Sequence, residues 1–260
     1  MKKEAFEILG LTIYWYGIFA AVAFMMAFGT GSRRAPREGL APEAIMNLAP
    51  WLIGGAILGA RILYVISFWN EEFAGKPWWE AFRFQRAGLV FYGGLIGSSL
   101  ATIIYCRLKR LPLWKVADIL APSLALGHGF GRIGCLMTGC CYGRPTDLPW
   151  AIHFPLDHWT HGVGVHPTQI YESLLNFALC GGLLLLYRRK KFDGQIFAAY
   201  LICYAVLRAF VESFRGDYVK HYIGGLLTPG QTVSVFILVA GVGLWFWLKE
   251  AKPLPTPASA

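Results

Sequence analysis

Residues 127–150 read Gly127-His-Gly-Phe-Gly-Arg132-Ile-Gly-Cys135-Leu-Met-Thr-Gly-Cys140-Cys141-Tyr-Gly143-Arg-Pro-Thr-Asp-Leu-Pro-Trp150. They join an apolar run to a polar, proline-rich stretch, with Arg132 set inside the apolar part. A permanent cation at or near membrane depth is costly and usually holds an anion or lines a pathway. The glycines on both sides let backbone approach whatever is held. A phosphate of a membrane lipid suits it, because guanidinium binds phosphate through two parallel hydrogen bonds.

The rest of the chain supports a membrane setting. Of 260 residues, 56% are hydrophobic and only 15% charged, against about 25% charged in an average soluble domain. This predicts an all-α polytopic membrane protein. A net charge of +9 does not indicate nucleic acid, since the basic residues sit in short clusters between apolar runs, where they act as topology signals.

A helix needs about 20 apolar residues to cross the hydrocarbon core. Seven spans are predicted in a single membrane domain over 1–260, near 12–30, 44–69, 88–107, 117–137, 169–187, 194–214 and 228–248. The first, third and fifth loops and the tail, with clusters such as Arg33-Arg34 and Arg188-Arg189-Lys190-Lys191, hold about 13 basic residues against about 8 on the other side. The positive-inside rule then puts the N-terminus outside and the C-terminus in the cytoplasm; Lys2 and Lys3 weigh against this. Residues 70–87, with Trp78, Trp79, Phe82 and Phe84, read as an interfacial arm beginning just after Trp69. Residues 138–168 read as a small extracytoplasmic head segment, since long connections are often functional. Residues 251–260 read as a disordered tail. No cleavable signal peptide is evident.

Three arginines fall inside the spans: Arg61, Arg132 and Arg208. Glu212 follows Arg208 by one helical turn, and Arg215 and Asp217 complete that group. An ion-pair network stitching helices together would suit Arg61 and Glu212 equally well. Arg132 has no acidic residue within a turn, so it is expected to stand unpaired and to invite an anionic ligand. His128 shares its helix face. Tyr16, Tyr92 and Tyr204 are further polar tips inside the spans, and Gly93 and Gly94 make the backbone after Tyr92 permissive. His166-Pro167-Thr168-Gln169 leads to Glu172, placed in the first helical turn where the dipole favours it.

These stretches together resemble the signature of the bacterial phosphatidylglycerol–prolipoprotein diacylglyceryl transferase family. The resemblance rests on Gly-Arg132-Ile-Gly running to Tyr142-Gly143-Arg-Pro-Thr-Asp-Leu-Pro-Trp. It extends to Trp15-Tyr16-Gly17, Gly-Ala-Arg61, Tyr92-Gly93-Gly94, His166-Pro-Thr-Gln-Ile-Tyr171-Glu172, Tyr204-x3-Arg208-x3-Glu212-x2-Arg215 and Gly230-Gln231. It implies an enzyme of the bacterial inner membrane that moves the diacylglyceryl group of phosphatidylglycerol onto the lipobox cysteine of a prolipoprotein. The products would be a thioether and glycerol phosphate. It places Arg132 on the lipid head group and makes Arg208 essential.

The chemistry suits the residues. Sulfur attacks the glycerol carbon that bears phosphate, and guanidiniums can take up the charge growing on the leaving group. No cofactor and no metal is required by this scheme, and the sequence carries no sign of oligomeric state. An anion transporter would show two related halves with broken helices. A magnesium-dependent phosphotransferase would show clustered carboxylates. Neither pattern is present in the sequence.

Two departures from the family pattern stand out. Tyr92 occupies the place of a histidine regarded as the base, so the expected proton acceptor is His128 or a tyrosinate at Tyr92. Cys135 and Cys140 stand where many members carry Asn and Glu. With Cys141 they leave a disulfide, free thiols and a metal site open, the metal ranked last because Cys-x4-Cys-Cys matches no common zinc spacing.

Overall fold

The computed structural model describes residues 4–8, 11–77, 79–80, 88–217 and 227–251. The chain divides into two compact units, Met1–Gly31 with Ala117–Ala260, and Ser32–Val116.

The chain opens with an antiparallel hairpin, β1 (Glu4–Ile8) paired with β2 (Leu11–Tyr14). The first helix therefore starts at Trp15 and not at residue 12, because Leu11–Tyr14 ends in the β-favouring pair Ile13-Tyr14 and pairs as a strand. Helices α1 (Trp15–Arg34), α2 (Pro42–Met46), α3 (Ala49–Ser67), α4 (Phe91–Leu108), α5 (Leu113–Thr138), α6 (Thr168–Tyr187), α7 (Gln195–Glu212) and α8 (Pro229–Glu250) follow. The segments Trp15–Glu38, Pro42–Ser67, Thr168–Tyr187, Gln195–Glu212 and Pro229–Glu250 are long and apolar enough to cross a membrane. The other two expected spans, 88–107 and 117–137, are helical as α4 and α5. Glycine and serine dilute the apolarity of α4, and Asp118, His128 and Arg132 that of α5.

In the larger unit, Ala121 and Ala125 of α5, Cys180, Leu183 and Tyr187 of α6, and Ile196 and Ala199 of α7 form one buried cluster. Small residues let these backbones approach closely. Asp118 of α5, fully buried, holds the start of α7 and the α6–α7 connection. Its carboxylate accepts from the amides of Gly194 (2.7 Å) and Phe197 (2.9 Å) at the start of α7 and meets Lys190 Nζ at 3.0 Å. A carboxylate on a helix N-terminus satisfies donors that no intrahelical partner reaches. The outward faces carry exposed Leu174, Val206, Phe210, Phe236 and Val239, as lipid contact requires.

The expected head segment is folded. A short hairpin of β3 (Ile152–His153) and β4 (Gly164–Val165) stands on isolated bridges, Pro145 to Val165 and Gly143 to Arg215. His158 stacks on Phe154 at 4.4 Å.

In the smaller unit, α3 and α4 pack backbone to backbone. A Cβ on Gly93 would strike the carbonyl of Gly59, and one on Gly94 would come within 3.3 Å of the Ala56 carbonyl. An apolar groove of about 640 Å3 runs along this pair, lined by Trp51, Leu58, Ile62, Ile96 and Leu100 among others. The expected interfacial arm begins as a π-helical turn, Trp69–Phe73, with Phe73 buried. Trp78, Phe82 and Phe84 lie outside the described residues, as do Lys2, Lys3 and residues 252–260 of the expected tail.

Candidate functional site

Helix α5 presents His128 and Arg132 on one face, and α6 brings Glu172 against both. Glu172 Oε2 lies 3.0 Å from Arg132 Nε, and Oε1 lies 3.2 Å from His128 Nε2. Glu172 is 1% exposed. The expectation that Arg132 stands unpaired is therefore overturned. Its partner is on another helix, out of reach of any argument from same-helix spacing. Glu172 also lies just beyond the first turn of α6, the turn expected to hold it. Its charge is held by the two basic side chains and not by the helix dipole. Ser173 Oγ, donating to the Gly129 carbonyl at 2.9 Å, locks the two helices at this level.

His128 Nε2 is also 3.2 Å from Arg132 Nε. These contacts exclude one another in neutral imidazole. Nε2 either carries a proton and donates to Glu172, or lacks one and accepts from Arg132. Nε2 thus has one partner in each neutral tautomer, Glu172 in one and Arg132 in the other. The Tyr204 ring lies 5.2 Å from it.

Arg208 meets its own carboxylate, Glu212, with Nη2 to Oε2 at 2.7 Å. Glu212, the last residue of α7, is fully buried against the start of α8. It accepts from Thr228 Oγ1 at 3.4 Å and lies against Gly230, where a Cβ would come within 2.6 Å of the carboxylate. Two arginines and two glutamates therefore cancel in formal charge, and any attraction for an anion must come from directed donors. Such donors remain. Arg208 Nη1 is buried without a hydrogen-bond partner. Arg132 spends only Nε on its described partners, leaving both Nη groups. A buried guanidinium nitrogen without an acceptor is costly, which an oxyanion would relieve.

Tyr16 of α1 packs on Gly134 of α5 and shares an electrostatic neighbourhood with Arg132 and the three clustered cysteines. Around the head, Gly143 N donates to the His166 carbonyl (2.9 Å), Arg144 N to that of Phe214 (2.8 Å), and His166 N to that of Arg144 (3.0 Å). A Cβ at Gly143 would approach His166 Cβ to 2.5 Å, so only glycine permits this three-way junction. Arg215 is clamped by Asp217 through two 2.7 Å bonds. Burial disfavours its charge, but that clamp more than offsets the effect and its pKa is raised. The His166 imidazole, 3.3 Å from the Tyr171 hydroxyl, has its pKa lowered by burial and then by Arg144.

Four residues expected at the site belong to the smaller unit. Arg61 is buried there, donating to the carbonyls of Gly88 and Glu80 (3.4 Å each) and lying over the rings of Tyr64 and Phe73. Gly93 and Gly94 serve the α3–α4 contact. Tyr92 is half exposed beside Phe91.

Sequence reasoning missed Asp118, Ser173 and Asn176, all buried polar residues on spans. Their signal was polarity within apolar runs, which needs a packing partner to interpret.

The sequence model of one family, prolipoprotein diacylglyceryl transferase, matches residues 3–247. A Finegoldia magna protein named phosphatidylglycerol–prolipoprotein diacylglyceryl transferase is 39% identical over 253 residues, covering 96% of this chain and 97% of its own. Proteins of the same name from Clostridium tetani and Synechococcus elongatus are 36% and 35% identical, covering 93% and 95% of this chain and 96% and 87% of their own. With a match over nearly its whole length, the chain belongs to the prolipoprotein diacylglyceryl transferase family.

Proposed function

We propose that this protein transfers the diacylglyceryl group of phosphatidylglycerol to the thiol of a prolipoprotein's lipobox cysteine. The observation that carries the reading is the pair of guanidiniums with unspent donors, Arg132 and Arg208, with the His128 imidazole in contact with Arg132. The lipid's phosphodiester accepts hydrogen bonds from the Nη groups of Arg132 and from Arg208 Nη1. Sulfur attacks the glycerol carbon bearing phosphate, the C–O bond breaks, and glycerol phosphate leaves. The same donors hold the charge that grows on it. Glu172 keeps Arg132 and His128 in register, and His128 is placed to accept the thiol proton.

The topology follows from the same reading. All seven long helices cross the bacterial plasma membrane, with the N-terminus and the 138–168 head outside and the C-terminus in the cytoplasm, as the basic loops favour.

Purified protein, phosphatidylglycerol vesicles and a lipobox peptide test the reading. Lipid-modified peptide is the expected product, and phosphatidylethanolamine in place of phosphatidylglycerol should abolish it. No modified peptide with phosphatidylglycerol, from folded protein, overturns the assignment.

A further inference from the structure

We propose that Cys135, Cys140 and Cys141 form a three-thiolate site for a thiophilic divalent metal, with an open fourth position that takes the substrate's thiol. The sequence spacing ranked a metal last, but the fold brings the sulfurs together. All three Sγ atoms lie within 4.8 Å of one another. Three zinc–sulfur bonds of about 2.3 Å at tetrahedral angles set sulfurs about 3.8 Å apart, so only a small inward shift is needed.

The loop that gathers them is held from two directions. At the end of α5 the chain reverses through Gly139 (φ 75°) and Cys141 (φ 66°), and Cys140 N donates to the Cys135 carbonyl at 3.1 Å. From α6, Thr168 Oγ1 donates to the Cys141 carbonyl at 2.6 Å and Gln169 Nε2 to the Cys140 carbonyl at 2.7 Å. Thr168 and Gln169 are each 1% exposed. Two buried side chains thus fix the backbone of both loop cysteines.

The cluster contains no fourth His, Cys, Asp or Glu among the described residues. His158 comes near, but its ring nitrogens are engaged by the Gly139 carbonyl (2.7 Å) and Thr160 Oγ1 (3.0 Å). Three protein ligands and one open position is the pattern of catalytic metal sites, while structural sites are closed. Cys140 is exposed, so an incoming ligand has access. Arg132 and Arg215 both lie within electrostatic reach of Cys141, which suits an anionic trithiolate complex. A disulfide would use two sulfurs and leave the third without a purpose.

The role of the site rests on the transferase reading; the metal binding does not. A thiol that coordinates loses its proton outright. The metal-held sulfur then supplies the electron pair for the new C–S bond. The thiol's proton passes to His128, the C–O bond to phosphate breaks with its pair staying on glycerol phosphate, and His128 hands the proton to that product. The need for a strong protein base falls accordingly.

Cobalt(II) is the probe, added to the reduced, metal-stripped full chain. Stoichiometric binding with sulfur-to-metal charge-transfer absorption is expected. It should be lost in C135S, C140S and C141S and kept in C106S and C203S, which control for folding. A lipobox peptide, without any phosphatidylglycerol, should shift the cobalt spectrum; the same peptide with serine for cysteine should not. Absence of binding, a spectrum unmoved by the cysteine peptide, or a disulfide in non-reducing peptide mapping of the protein as isolated overturns the proposal. Full transfer by chelated protein overturns it while leaving the transferase reading intact. A peptide-induced spectral shift in protein that transfers no lipid upholds the site and sinks the transferase reading instead.

Discussion

Glu172 Oε2 of α6 and Arg132 Nε of α5 stand 3.0 Å apart, joining two helices through one buried ion pair. Breaking such a pair from one side leaves an uncompensated charge and costs about 3–5 kcal/mol. Glu172→Gln is therefore expected to lower thermal stability by that order. Combining it with Arg132→Gln should restore most of the stability without restoring transfer. Thermal unfolding in detergent, alongside the lipobox-peptide assay, measures both.

Arg132→Ala removes both unspent Nη donors. Loss of one preorganised donor to a developing oxyanion costs about 100- to 1,000-fold in turnover. A loss of at least that size is expected, and Arg132→Lys should recover little, because an ammonium cannot reproduce the fork. An alanine variant with normal turnover would show that the lipid phosphate binds elsewhere.

His128→Ala should lower turnover by about 100-fold or more if the imidazole takes the thiol proton. Turnover unchanged at every pH would remove His128 from the mechanism and leave thiol activation to other groups.

Gly230→Ala places a methyl group within 2.6 Å of the Glu212 carboxylate. The carboxylate must move, and Arg208 loses its 2.7 Å partner. Reduced activity with a lower melting temperature is expected. Gly243→Ala, where nothing lies within 4 Å, should be close to neutral and serves as the control.

The lowered pKa of His166 has two causes, burial first and Arg144 second. Its folded value lies below its unfolded one, so the unfolded chain binds more protons between the two. Stability from this group is present at neutral pH and declines as pH falls through the ordinary histidine range. Arg144→Gln should raise the NMR midpoint of His166 without returning it to 6.5, because the burial contribution remains.

The helices were legible because apolar runs of membrane length leave few alternatives. Trp15–Arg34, Thr168–Tyr187 and Pro229–Glu250 follow the expected spans to within several residues. The functional cluster was legible where it lies along one helix, as with His128 and Arg132, or Arg208 and Glu212. Contacts between helices were not. The 3.0 Å approach of Glu172 to Arg132, the capping of α7 by Asp118 and the convergence of three cysteines all depend on how helices rotate against one another. That rotation is set by small-residue packing, which local sequence does not encode. The hairpin β1–β2 was missed because Leu-Thr-Ile-Tyr also extends an apolar helix.

The junction of Gly143 and Arg144 with His166 and with Phe214–Gly216 draws on three stretches far apart in the chain. During synthesis the first two leave the ribosome long before the third. The head can therefore close only once α7 has been delivered to the bilayer. A nascent chain halted before Phe214 would carry its cysteine loop and Arg132 without the strap that joins the head to the end of α7.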